Sequence, residues 1–343
     1  MKIFQFKYIL GVLIVLLGLL YCFNYELLHY GIRQGKGQLE IVWRARSIAD
    51  IRNDPSTPDS VLQKLKIIAE IKNFCEKELH LESHANYTTL YDQEEKPGMY
   101  VLSASEPYKL QSYQWEFPLL GQFSYKGYFD KELGRIEQKN LIELGYDTDL
   151  DEVNAWSTLG WFKDPVMSSM LQLHEGRLAR VLIHEITHYN IFVKDDITFN
   201  ENLASFIGDK GAELYLAGKY GENSPEVESF SGYLYDLDLF TQHMVHSTNE
   251  LALFYDTLQE APYRKKIKEE KIRSLLDQAN NLPYRGHFKL NKIKALKNQI
   301  NNAFFTDFLT YKSHYPAFSK ELDEKFKGDI KTFIKDKKAK YGN

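Results

Sequence analysis

Residues 184–188 read His184-Glu185-Ile186-Thr187-His188 and lie inside the apolar stretch 178–191. No other feature constrains the fold of this chain as tightly. Two imidazoles four residues apart share a face only if the segment is a helix, where both can reach one tetrahedral ion. The apolar neighbours Leu178, Leu182, Ile183 and Ile186 require that this helix be packed into a core layer. Glu185 then falls one step round from His184, beside such an ion and not on it. A carboxylate there can take a proton from an attacking water and pass it to a leaving amine.

A third ligand has to come from another element. Glu201 follows His188 after twelve intervening residues, in Thr198-Phe199-Asn200-Glu201-Asn202-Leu203-Ala204, the expected start of a second helix. Ala204, Ser205 and Gly208 are small and lie on or near the face of Glu201, so the two helices can approach closely. Two His and one Glu leave a fourth position for water, as a catalytic zinc site requires; structural zinc usually takes four protein ligands and favours Cys. Competing readings exist. Thr198 and Glu201 fit a capping box that would occupy Glu201 at the helix start, and Glu213 is a weaker substitute ligand. His184 and His188 could be hydrogen-bonded core residues, and Glu185 a surface acid. His243 and His246 are three apart with no nearby acid to complete a set, and His174 falls on an earlier turn of the same helix.

The N-terminus sets a second constraint. Lys2 and Lys7 precede Tyr8–Phe23, sixteen residues without charge. With Ile3–Phe6 and Leu27–Leu28 extending it at the interfaces, that run can enter a bilayer. No small residue follows it where a signal peptidase would cut, and Tyr21 stands where a lipoprotein site before Cys22 needs a small residue. Residues 1–28 are therefore expected to be an uncleaved membrane anchor, with the body, 29–343, on the extracytoplasmic (periplasmic) side. Cys22 and Cys75, the two cysteines, give no disulfide framework. A net charge of -4, with basic residues interleaved among acids near the C-terminus, excludes nucleic acid as the main partner.

Elsewhere periodicity predicts helices over about 38–51, 59–79, 130–144, 164–192 and 225–259, a charged helix from the break at Ala261-Pro262 to about 280, and more in 288–312 and 316–340. Residues 24–36 read as a polar exit from the membrane. Short aromatic strands are expected at Met99–Ala104, Tyr113–Phe117, Gln122–Tyr128 and Asn154–Phe162. The fold class is α+β, predominantly helical, with a small mixed or antiparallel sheet and a helical C-terminal part from about 222.

Beyond the pentapeptide, a run of blocks is shared with a known family. Gly37-Gln38-Leu39, Trp115-Glu116-Phe117-Pro118, Tyr125-Lys126-Gly127-Tyr128-Phe129, Ser157-Thr158-Leu159-Gly160-Trp161-Phe162, Phe199-Asn200-Glu201, Asn301-Asn302-Ala303 and Thr310-Tyr311 occur in order. On these the chain resembles the bacterial family designated putative zinc aminopeptidase, similar in motif to the zincin-like metallopeptidases that carry His-Glu-x-x-His plus Glu. The resemblance covers about Gly37 to Phe318. It implies a zinc-dependent hydrolase acting on a peptide or protein substrate, with His184, His188 and Glu201 as metal ligands and Glu185 as base. Three further expectations follow. Ser157–Phe162 could pair with substrate backbone. Tyr311, with His314 as rival, could donate to the oxyanion of a tetrahedral intermediate. Glu143, Asp151, Glu152, Asp195 or Asp196 could hold a substrate amine. An endopeptidase and a non-catalytic, membrane-tethered binding protein are the alternatives.

Overall fold

The computed structural model describes residues 25–94, 96, 98–117, 121–153, 163–194, 196–286, 300–309 and 313–342. Helix α1 (Tyr25–Arg44), the short strand β1 (Arg46–Ser47) and α2 (Ile48–Asn53) lead into α3 (Asp59–Lys77). Strands β2 (Thr89–Tyr91), β3 (Met99–Ser105), β4 (Trp115–Phe117), β5 (Gly121–Phe123) and β6 (Tyr125–Tyr128) follow, then α4 (Lys131–Glu143), β7 (Asp147–Val153) and β8 (Val166–Met167). A 3-10 turn (Ser168–Gln172) precedes α5 (Glu175–Asn190) and α6 (Ile197–Tyr220). The long helices α7 (Pro225–Thr257) and α8 (Arg264–Asn280) form a hairpin. The chain finishes with α9 (Asn302–Thr306), a 3-10 turn (Asp307–Leu309), α10 (Tyr315–Phe326) and α11 (Ile330–Tyr341). The architecture is α+β and predominantly helical, as the periodicity predicts.

The strands form three small sheets. Strand β2 pairs antiparallel with β1 and parallel with β8, β3 lies between β6 and β7 with both pairings antiparallel, and β4 pairs with β5. The buried hydrophobic residues form three cores. The largest joins α3, α5, α6, α10 and α11 through residues such as Leu65, Ile68, Leu182, Ile183, Phe206 and Phe333. A second lies between α7, α8 and α9, and a third, with Leu102, Trp115, Tyr128 and Leu141, backs the β3 sheet.

Several boundaries differ from the sequence expectation, each for a local reason. Residues 25–37 are helical, part of α1, whose inner face packs Tyr30 against Phe117 and Tyr128 and buries Ile41. The stretch 164–192 is not one helix: Val166 and Met167 pair with Leu90 and Tyr91, and His174 becomes the residue before α5 instead of an earlier turn of it. Strand β7 was not expected, because Asp147, Asp149, Asp151 and Glu152 are poor strand formers; its full pairing with Met99–Ser105 overrides that preference. The expected helix 316–340 is broken at Lys327 and Gly328, both with positive φ. The hairpin fits its reading, with Ser224 capping α7 at Val227 N; Asp130 separately caps α4. The expected strand Asn154–Phe162 and the anchor segment 1–24 lie outside the described residues. Among the described residues no helix is long and apolar enough to cross a membrane.

The far end of the chain closes onto α5. Phe192 N donates to Tyr341 O at 3.2 Å, and Ile191 forms a bridge with Gly342.

Candidate active site

Helix α5 owes its position to a mainly apolar inner face: Leu178, Ala179, Leu182, Ile183 and Ile186 are all buried, each large one contributing about 1.5–3 kcal/mol on burial. Its last turn is clamped by Asn190, which accepts from Glu82 N and donates to Glu82 O, both at 2.9 Å. Helix α6 is buried nearly all round and lies directly on α5. Gly208 permits this: a Cβ there would stand 2.9 Å from the Arg180 carbonyl oxygen and 3.3 Å from His184 Cβ. The buried Asp209 adds an ion pair with Arg180 and accepts a hydrogen bond from Tyr315 Oη at 2.6 Å.

The entry of α6 decides what Glu201 can do. Asp196, not Thr198, caps the helix, its side chain accepting from Phe199 N at 2.9 Å. The capping box is thus not used. Asn200 pairs with both the N–H and the carbonyl of Val193, each at 2.8 Å, and fixes the turn between the two helices. Glu201 is left free to face α5.

The result is a convergence of three donors. His184 Nε2 and His188 Nε2 are 3.1 Å apart, and the Glu201 carboxylate oxygens stand 3.4 Å from His184 Nε2 and 3.3 Å from His188 Nε2. A divalent ion held by His nitrogen and carboxylate oxygen at about 2.0–2.2 Å separates tetrahedral donors by about 3.3–3.5 Å. The spacing and the N, N, O donor set therefore fit a metal ion, which these three residues could hold together. The rings are set edge to face, 83° apart. Although burial alone would raise it, the two imidazoles hold the Glu201 carboxyl well below the usual carboxylate range. Burial opposes the charged form of His188, yet Glu201 raises its pKa.

Glu185 stands beside this cluster and makes no hydrogen bond among the described residues. Burial pushes its carboxyl above the usual range, His184 and His188 oppose that, and Glu201 and Asp164 add to it. Ser205 is a partner that sequence reasoning treated only as small: its Oγ lies 3.4 Å from His184 Nδ1. With Nε2 turned to the ion site, that contact favours the Nδ1–H tautomer. The signal was in the sequence, since Ser205 lies one helical turn after Glu201.

A cleft of about 620 Å³ opens beside Glu201, lined by Phe123, Tyr125, Asn202, Ser205 and Asp307 among others. Asp307, which no sequence pattern singled out, lies in its wall. Withdrawal from solvent there, then the nearby Asp149 and Asp151 carboxylates, push it up to about 7. Of the acids expected for a substrate amine, Asp196 lines the cleft but caps α6. Asp151 acts electrostatically on Asp307. Glu152 and Glu143 are paired with Lys131 and Lys139. Asp195, Tyr311 and Ser157–Phe162 lie outside the described residues. His314 packs edge to face on Phe199 and stacks on Phe318, and its backbone N–H donates to Asn202 Oδ1 at 3.2 Å. His243 contacts Leu275 O and Ser247, a structural role within the hairpin.

Fold and site together define a helical α+β chain with a candidate metal centre of two imidazoles and one carboxylate, next to an open cleft. A family model described as "Putative aminopeptidase" matches residues 29–340, and the chain belongs to that family. No match is found among curated proteins or among solved structures.

Proposed function

We propose that this chain is a zinc-dependent peptidase of the zincin-like kind, an aminopeptidase, tethered to a membrane by residues 1–28 with its body on the extracytoplasmic side. The observation that carries the reading is the approach of His184, His188 and Glu201 donors to 3.1–3.4 Å of one another. The family match supports peptidase chemistry at a coarser level. When bound, zinc would polarise the scissile carbonyl and lower the pKa of the attacking water. The protein supplies the rest. Ser205 orients the His184 ring; Glu185, half-buried and without a competing hydrogen bond among the described residues, takes the proton from the water and returns it to the leaving amine. Tyr311 is the proposed oxyanion donor. Asp307 is the carboxylate best placed to receive a free substrate amine, since it shares the cleft with Glu201.

Glu185→Gln tests the mechanism. Zinc content should be unchanged while hydrolysis of a free-amine peptide falls about 10²–10⁴-fold. His184→Ala should lose the metal as well. Undiminished turnover by the Gln variant would remove Glu185 from the reaction. Equal rates on free and N-blocked peptides would replace the exopeptidase with an endopeptidase.

A further inference from the structure

Helix α1 is held to the body by one face. Tyr30 Oη donates to Gly127 O at 2.8 Å, Gln34 accepts from Phe129 N, and Ile41 is buried. The opposite face carries Ile32, Leu39 and Trp43, which at 3.6 residues per turn fall within about 40° of one another. They are exposed to an unusual degree: Ile32 is 67% and Trp43 87% accessible. Together they leave apolar-rich surface on the order of 400 Å², a size that marks an interaction site more often than an idle patch. Lys36 lies on the same stripe, exposed and without an acid partner among the described residues. On its flank Glu40 is tied to Arg44.

We propose that this outer face of α1 lies flat against the surface of a lipid bilayer. The inference rests on the reading of residues 1–28 as a membrane anchor. Two observations choose the bilayer as occupant. The uncharged run Tyr8–Phe23 lies directly before the described part of α1, so an inserted run delivers that helix to the interface. From there an upright α1 would carry Trp43 about 27 Å into water, whereas a flat one keeps the whole stripe at the headgroup boundary. The composition also fits: Trp with Ile and Leu, and a lysine that can reach up to phosphates, is what interfacial helices present. A second copy of the chain fits less well. Two anchored copies would pair in parallel, setting Lys36 against Lys36 on the seam. The attitude of α1 also orients the cleft. Its Tyr30 bonds strand β6, whose first residue, Tyr125, lines the cleft.

The test uses the full chain reconstituted in phosphatidylcholine/phosphatidylglycerol vesicles, with and without phosphatidylcholine brominated at carbons 6 and 7. Flotation reports the anchor. The difference in emission between the native chain and Trp43→Phe reports residue 43 alone among the 4 tryptophans. The expected result is a floating chain in which brominated lipid removes at least half of the Trp43 emission. A floating chain whose Trp43 emission is unchanged by bromine overturns the inference and leaves the anchor standing. A blue-shifted but unquenched Trp43 would give the stripe to a second copy instead. A chain that stays at the bottom of the gradient refutes the anchor, and the surface contact with it.

Discussion

Asp307 illustrates how much of the candidate site depends on placement and how little on pattern. Nothing in its neighbours predicts a cleft acid; it becomes one because the turn after α9 brings it opposite α6 and near Asp149 and Asp151 of β7. Its carboxyl, raised to about 7 by withdrawal from solvent and by those two acids, is ionised above that pH and protonated below it. A protonated acid cannot pair with a substrate ammonium. KM for a free-amine peptide should therefore rise about tenfold as pH falls from 8 to 6, and Asp307→Asn should flatten that dependence while raising KM at pH 8. A pH-independent KM in the native chain would discard this role. The candidate metal ligands are the opposite case. His184 and His188 were legible because helical spacing alone stacks them. Glu201 was ambiguous, because Thr198 offered a rival use for it; the ambiguity ended with Asp196, which takes the capping role two residues earlier.

Among elements, the α5–α6 pair carries the argument. Its closeness was readable in Ala204, Ser205 and Gly208, because small residues on one face mean little unless something approaches that face. The contact at Gly208 makes this measurable. A methyl at Gly208 meets a backbone carbonyl, which cannot swing aside as a side chain would. Gly208→Ala should push α6 away from α5, weaken zinc binding at least tenfold in a competition titration, and cost about 1–3 kcal/mol in a urea melt. Tight zinc with unchanged stability would mean that the helices have slack. What stayed hidden at this scale was strand and turn identity. The acidic β7 and the stretch 163–174 are set by partners distant in sequence, β3 and β2. No local pattern reports such partners.

For the molecule as a whole, the ion would join two helices that belong to the largest core, so its binding energy is also folding energy. Zinc at about a thousand times its Kd adds about 4 kcal/mol, and one kcal/mol moves the midpoint by about 2–4 °C in a chain somewhat smaller than this one. Chelation should lower Tm by about 5–15 °C, and readdition of zinc should restore it. An unchanged melt would show that the site holds no ion in the folded protein. The loop that leaves α5 is the place where these scales meet. Because Tyr341 and Gly342 splint the residues immediately after the last turn of α5, any change that loosens α11 from the body also frees the turn that carries His188 and Asn190.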